Sequence, residues 1–198
     1  MQAESTTQTN RSRTDATRAA LLTAARTLFS EKGYAETSTP EIVKAAGVTR
    51  GALYHHFADK VALFRAVVVE EYRAVAEEIE AFATDAPTSA IDALQQGSRG
   101  FLAAMADRGR VQIMLLDGPV VLGPGELSRI DRETSADSLR LGLEQAMEAG
   151  ELKTLPVAAL TVQLSALFDR AALAIAEGDE AEPHLAVLDA IFTSLVPD

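Results

Sequence analysis

From residue 16 almost to its end the chain repeats apolar residues at intervals of three and four, without the two-residue alternation between hairpin turns that a half-buried strand requires. That periodicity confines it to an all-α fold. Residues 16–30 place Leu21, Leu22, Ala25, Leu28 and Phe29 on one helical face, with Gly33 just beyond as a stop signal. The stretch STPEIVKAAG starts a second helix in one of two ways: Ser38 forms a capping box with Glu41, or Thr39 caps with Pro40 at the first helical position. Gly47 ends it. Thr49 caps a third helix with Leu53 and Phe57 on its inner face, and the connection of about four residues containing glycine is that of a helix-turn-helix. Asp59 then caps a long amphipathic fourth helix carrying Phe64, Val67, Val68, Tyr72, Val75, Ile79 and Phe82 in register, which runs out near Asp85-Ala86-Pro87.

Beyond it the spacing predicts helices over about 89–106, 111–116, 126–149, 156–177 and 183–195, with DGPVVLGPG as a Gly/Pro-rich loop and plausible hinge or gate. The Thr/Ser/Gln-rich residues 2–13 read as a mobile arm. The expected organisation is therefore a flexible arm at 1–14, a helix-turn-helix domain at 15–62 and an all-helical domain at 63–198. The N-terminus lacks the apolar core of a secretory signal, so a cytoplasmic location is expected. The apolar run 155–176 is interrupted by Gln163, Asp169 and Arg170, which favours a helix buried on several sides over a membrane span.

Charge divides the chain in the same place. The net charge is −11, yet residues 1–60 hold eight Lys/Arg against six Asp/Glu, a surplus of +2 that leaves −13 for the remainder. Only the first part suits contact with a polyanion. The absence of cysteine excludes disulfides, thiol catalysis and Cys-ligated zinc. His55 and His56 are neighbours on a helix, about 100° apart, and cannot present two ligands to one metal ion as an i, i+4 pair does. No nucleophile or paired carboxylates stand beside them, and Gly118 and Gly123 lack the Lys and Ser/Thr of a phosphate loop. Neither an enzyme, a metal site nor a cofactor is expected.

With Leu53 and Phe57 facing inward, Thr49, Arg50, Gly51, Tyr54 and His55 fall on the outer face of the third helix, with His56 and Lys60 toward one edge. Gly51 and Ala52 permit close approach, Arg50 can bond guanine bidentately, and hydroxyls and imidazoles can meet phosphates. This surface suits duplex DNA.

Over residues 15–68 the chain resembles the DNA-binding domain of the tetracycline-repressor (TetR) family of transcriptional regulators. The resemblance is carried by LLTAARTLFSEKGYAETST and PEIVKAAGVTRGALYHHFADKVALFRAVV. It implies that Thr49, Arg50, Gly51 and Ala52 begin a recognition helix in the major groove. Tyr54, His55, His56 and Lys60 would meet mainly phosphates, and Ser38 or Thr39 would anchor the second helix on the backbone. Ala52 stands where the family often has a larger or polar residue, which leaves base reading to Arg50. The rest of the chain resembles the family's effector-binding and dimerising domain in size and class. The implied protein is a homodimeric regulator, a repressor in most family members, that binds a near-palindromic operator and responds to a small-molecule effector. Two other readings stay open: an activator of the same family, and a small-molecule sequestering protein with a vestigial DNA-binding domain.

Candidate effector contacts are Phe101, Met105, Gln112, Met114, Leu115, Asp117, Gln163, Leu164 and Phe168, with Asp169 and Arg170 as further polar candidates or an interface ion pair. The helices at 156–177 and 183–195 suit a four-helix bundle formed across a two-fold axis with a second copy.

Overall fold

The computed structural model describes the backbone of residues 2–82, 86–134 and 138–197, with side chains from Arg13 onward. Every regular element among these residues is helical. The order is α1 (Gln2–Glu36), α2 (Thr39–Ala45), α3 (Arg50–His56), α4 (Lys60–Phe82), α5 (Ala90–Ala104) and α6 (Arg108–Val111). A π-helical turn (Gln112–Asp117) follows, then α7 (Gly118–Val121), α8 (Pro124–Thr134), α9 (Ser138–Glu148), α10 (Val157–Glu177) and α11 (Ala181–Ser194).

The local signals explain the first four helices. Leu21, Ala25 and Phe29 of α1 are fully buried against Ile42 of α2, Leu53 of α3, and Leu63 and Phe64 of α4. Phe29, Tyr34 and Phe64 form an aromatic trio with ring centroids 5.0–5.8 Å apart, fastening α1 to α4. Ser38 is the cap of α2: its hydroxyl accepts from the Glu41 N–H, and the Glu41 carboxylate accepts from the Ser38 N–H. Thr49 caps α3 by accepting from the Ala52 N–H at 3.2 Å, and Asp59 caps α4 by accepting from the Ala62 N–H at 2.7 Å.

Gly33 does more than stop a helix. It adopts φ 77°, ψ 168° inside the span of α1 and turns the chain sharply there, a conformation only glycine holds without strain. Its carbonyl accepts the Thr37 hydroxyl at 2.8 Å, which closes the turn into α2.

Four expectations need correction. Helix α1 begins at Gln2, so residues 2–13, read as a mobile arm, carry helical backbone: no Gly or Pro precedes Gly33, and a nucleated helix propagates at little cost. The DGPVVLGPG stretch is not a loop, because Asp117 closes the π-helical turn, Pro119 sits within the first turn of α7, and only Leu122 and Gly123 separate α7 from α8. The helix expected over 126–149 is two, α8 and α9, with 135–137 between them outside the described residues. Finally, α10 buries one face only. Val162 and Leu167 on its other face are 65% and 42% exposed. By length and composition alone it is also the one helix among the described residues apolar enough to cross a membrane.

Where α4 crosses α5 the backbones nearly touch: a Cβ on Gly100 would stand 3.2 Å from Ile79 Cα. From there α5 and α8 pack on α4, while α9 and α10 pack on α5 and on each other.

Candidate nucleic-acid interface and internal cavity

The outer face of α3 is built by burying its opposite side. Leu53 is inaccessible and Phe57 nearly so, which forces Thr49, Arg50, Gly51, Tyr54 and His55 into solvent, with Ala52 and His56 half-exposed beside them. The Arg50 guanidinium lies 5.5 Å from the centre of the Tyr54 ring. Hydrogen bonding first to Thr39 and second to Arg50 holds the Tyr54 phenol below its ordinary pKa, and the residue is 42% exposed. Thr39 thereby belongs to the same face. Ser38 is exposed, but its hydroxyl is engaged with Glu41, whose carboxyl Lys32 first and Ser38 second hold down at about 2. Lys60 is turned inward: its Nζ sits 4.0 Å above the Tyr34 ring, where burial lowers its pKa.

A cavity of about 520 Å³ lies inside the other half, walled by α4, α5, α8, α9 and α10 with Met114 and Leu115 of the π-helical turn. Phe101, Met105, Met114, Leu115 and Phe168 line it, as do Tyr72, Asp131 and Asp169. The Phe101 and Phe168 rings are 5.6 Å apart. Burial first, and the Asp131 charge second, push the Asp169 carboxyl up to about 6. Burial likewise raises the Tyr72 phenol, with both carboxylates adding to the effect.

Four expected effector contacts do not line this cavity. Leu164 is buried in the core and Gln163 is exposed on the outer side of α10, one residue around the helix from the inward-facing Leu164. Gln112 and Asp117 face α1 instead. A Cβ on Gly33 would stand 3.4 Å from both side chains, and the Asp117 carboxylate accepts the Tyr34 N–H at 2.7 Å. They clamp the kink of α1. Of the further polar candidates, Asp169 lines the cavity while Arg170 is exposed.

Sequence reasoning missed the polar network that joins the two halves. Glu71 of α4 is buried and accepts from Arg26 Nε of α1 at 2.7 Å and from Arg110 Nε of α6 at 2.9 Å. Arg26 also reaches Asp107, and Arg110 adds a two-pronged contact to Glu78 and a bond to the Ala104 carbonyl at 2.6 Å. Hydrogen bonds to Glu78 and Glu71 respectively hold both Arg110 and Arg26 firmly protonated. Gly109 lets α6 lie against α1, because a Cβ there would come within 2.5 Å of Ser30 Cβ. A signal existed: Glu71 falls in the apolar register of α4, between Val67, Val68 and Val75.

Residues 21–67 match the family described as bacterial regulatory proteins, tetR family, and residues 91–197 match the tetracyclin repressor-like C-terminal domain. The HTH-type transcriptional repressor AcnR of Corynebacterium glutamicum is 27% identical over 179 residues, covering 86% of this chain and 88% of that protein. The HTH-type transcriptional regulator AcrR of Shigella flexneri is 58% identical over 48 residues, 24% of this chain and 22% of that protein. Among solved structures, a tetR-family transcriptional regulator from Pectobacterium atrosepticum superposes with a TM-score of 0.73 at 30% identity, covering 95% of this chain and 98% of that one.

Proposed function

The chain belongs to the tetR family of bacterial transcriptional regulators, and from that premise we propose that it is a homodimeric, cytoplasmic repressor that a small molecule releases from a near-palindromic operator. The observation that carries the proposal is the outer face of α3, where Thr49, Arg50, Gly51, Tyr54 and His55 are all exposed on a helix whose other side is core. In this reading Arg50 reads a base in the major groove. Thr39, Tyr54, His55 and His56 meet phosphates, and Lys60 swings from Tyr34 to join them. The description of AcnR as a repressor supports repression over activation.

Dimerisation follows from the faces that α10 and α11 leave uncovered. Ala158, Val162, Ala166 and Leu167 on one helix, and Val187 and Ala190 on the other, are exposed small and apolar residues. A second copy covers them and sets two α3 helices about 34 Å apart, the spacing of successive major grooves.

Release begins in the cavity. Met114 and Leu115 line it, while Gln112 and Asp117 of the same π-helical turn grip Gly33 and Tyr34. An occupant that displaces this turn moves the end of α1 and the start of α2, and through Tyr72, Val75 and Ile79 it tilts α4. To invert a 99:1 balance the occupant must prefer the released form by about 10⁴-fold.

The test is selection of duplexes from a random DNA library at near-physiological salt, with Arg50→Ala in parallel. An inverted repeat, blurred or lost in the variant, is expected. A dimeric, folded protein that enriches nothing would overturn the reading.

A further inference from the structure

The charged groups of the cavity have one sign. Among the described residues that line it stand two carboxylates, Asp131 and Asp169, and the Tyr72 phenol, with no Lys, Arg or His. The neighbouring cations are committed elsewhere: Arg99 pairs with Asp189 at 2.6 Å, Arg110 with Glu71 and Glu78, and Arg140 with Glu144. Two of the hydroxyls in the wall are committed too, Ser98 donating to the Leu94 carbonyl and Thr161 to that of Val157. The rest of the lining is mainly aliphatic and aromatic, including Val75, Ile79, Leu94 and Leu139.

We propose that this cavity binds an amphiphilic organic cation. Its single positive headgroup, a protonated or quaternary amine, lies against Asp169 and Asp131, and its apolar body lies along Phe101, Phe168, Met105 and Met114. The inference rests on the reading of this cavity as the effector site.

Three physical reasons select this class. An anion entering the cavity would lose its hydration beside two carboxylates and find no counter-charge, which burial makes costly. A neutral ligand would fill the apolar volume, and a hydroxyl on it could donate to Asp169, but it would leave the charge of the carboxylate unbalanced beside Asp131. A cation offsets the desolvation and the mutual repulsion that hold the Asp169 proton on up to about pH 6. The rings of Phe101, Phe168 and Tyr72 line the same volume, and aromatic rings attract cations placed over their faces. A volume of about 520 Å³ is in the range that encloses a drug-sized molecule.

The test uses three probes on one skeleton, 6-phenylhexyltrimethylammonium, 6-phenylhexanol and 6-phenylhexanoate, titrated into the full-length protein at pH 7.5 by calorimetry. The same titrations are run on Asp169→Asn and Asp131→Asn. We expect the cation to bind at least tenfold tighter than the alcohol, and the carboxylate to bind weakest. Either substitution should shrink the cation-to-alcohol ratio at least fivefold, a ratio that a general loss of folding would not change selectively. Equal affinities, a preference for the carboxylate, no binding by any probe, or a ratio that survives in both variants would overturn the proposal. Fluorescence anisotropy on the selected operator separates this result from the regulatory reading. A cation that binds with the expected preference yet leaves DNA affinity unchanged sinks the effector role and keeps the ligand class. Release by the alcohol or carboxylate alone does the reverse.

Discussion

The two halves of this molecule use burial in opposite ways. Around Phe29, Ile42, Leu53 and Phe64 the first half packs a small core whose main product is a surface, the exposed side of α3. Around α4, α5, α8, α9 and α10 the second half leaves a hollow, and two of its carboxylates, Asp131 and Asp169, line that hollow. The charge follows the same division, +2 over residues 1–60 and −13 beyond. A surface site tolerates charge because water solvates it; a cavity site bears the cost of every carboxylate it holds until a ligand arrives.

The joint between the halves is the place where the contrast is easiest to break. Glu71→Ala leaves Arg26 and Arg110 without their shared partner, and removing one member of a buried ion network costs about 3–5 kcal/mol. Urea unfolding should show that loss, and Arg110→Met added to Glu71→Ala should recover part of it.

Asp169 sharpens the comparison from the cavity side. Its pKa is raised to about 6 from 3.8, so the native state keeps a proton that the unfolded chain releases. Its stabilising contribution is therefore full below about pH 4 and lost as pH rises through 6. At pH 7.5 the ionised carboxylate is a net cost of about 2 kcal/mol, after allowance for its partial contact with solvent. The groups facing it are Tyr72 on α4 and Asp131 on α8. Asp169→Asn should raise the urea midpoint at pH 7.5, with the gain vanishing near pH 4. An equal gain at both pH values would show that charge is not the cause.

On the surface side, Arg50→Ala should cost about 1–3 kcal/mol of operator affinity and relax the preference at one position, without moving the unfolding midpoint. Competition with mismatched duplexes checks both points. Smallest is Ser38→Ala, which removes the α2 cap and should lower stability by about 1 kcal/mol while leaving cation binding in the cavity intact.

These contrasts follow how each half could be read from its residues. The α2–α3 surface was legible because capping, turn and face are all set within four residues of each other: Ser38 with Glu41, Thr49 with Ala52, Leu53 with Phe57. The cavity was only partly legible. Phe101, Met105 and Phe168 lie on its wall, but Asp117 and Gln112 turned out to grip α1, and Tyr72, Asp131 and Asp169 come from three helices far apart in the chain. Periodicity shows which face of a helix is inward but not whether that face meets side chains or space. The π-helical turn was hidden for a similar reason, since one extra residue per turn leaves almost no trace in the spacing of Ile113, Met114 and Leu115.

What the amino-acid order determined by itself is the all-α class, the helix-turn-helix and the division of charge, because each depends on neighbours within a turn or two or on composition alone. Tertiary structure alone decided the kink clamp on Gly33, the Arg26–Glu71–Arg110 network and the sign of charge inside the cavity, because each depends on which distant helices come together.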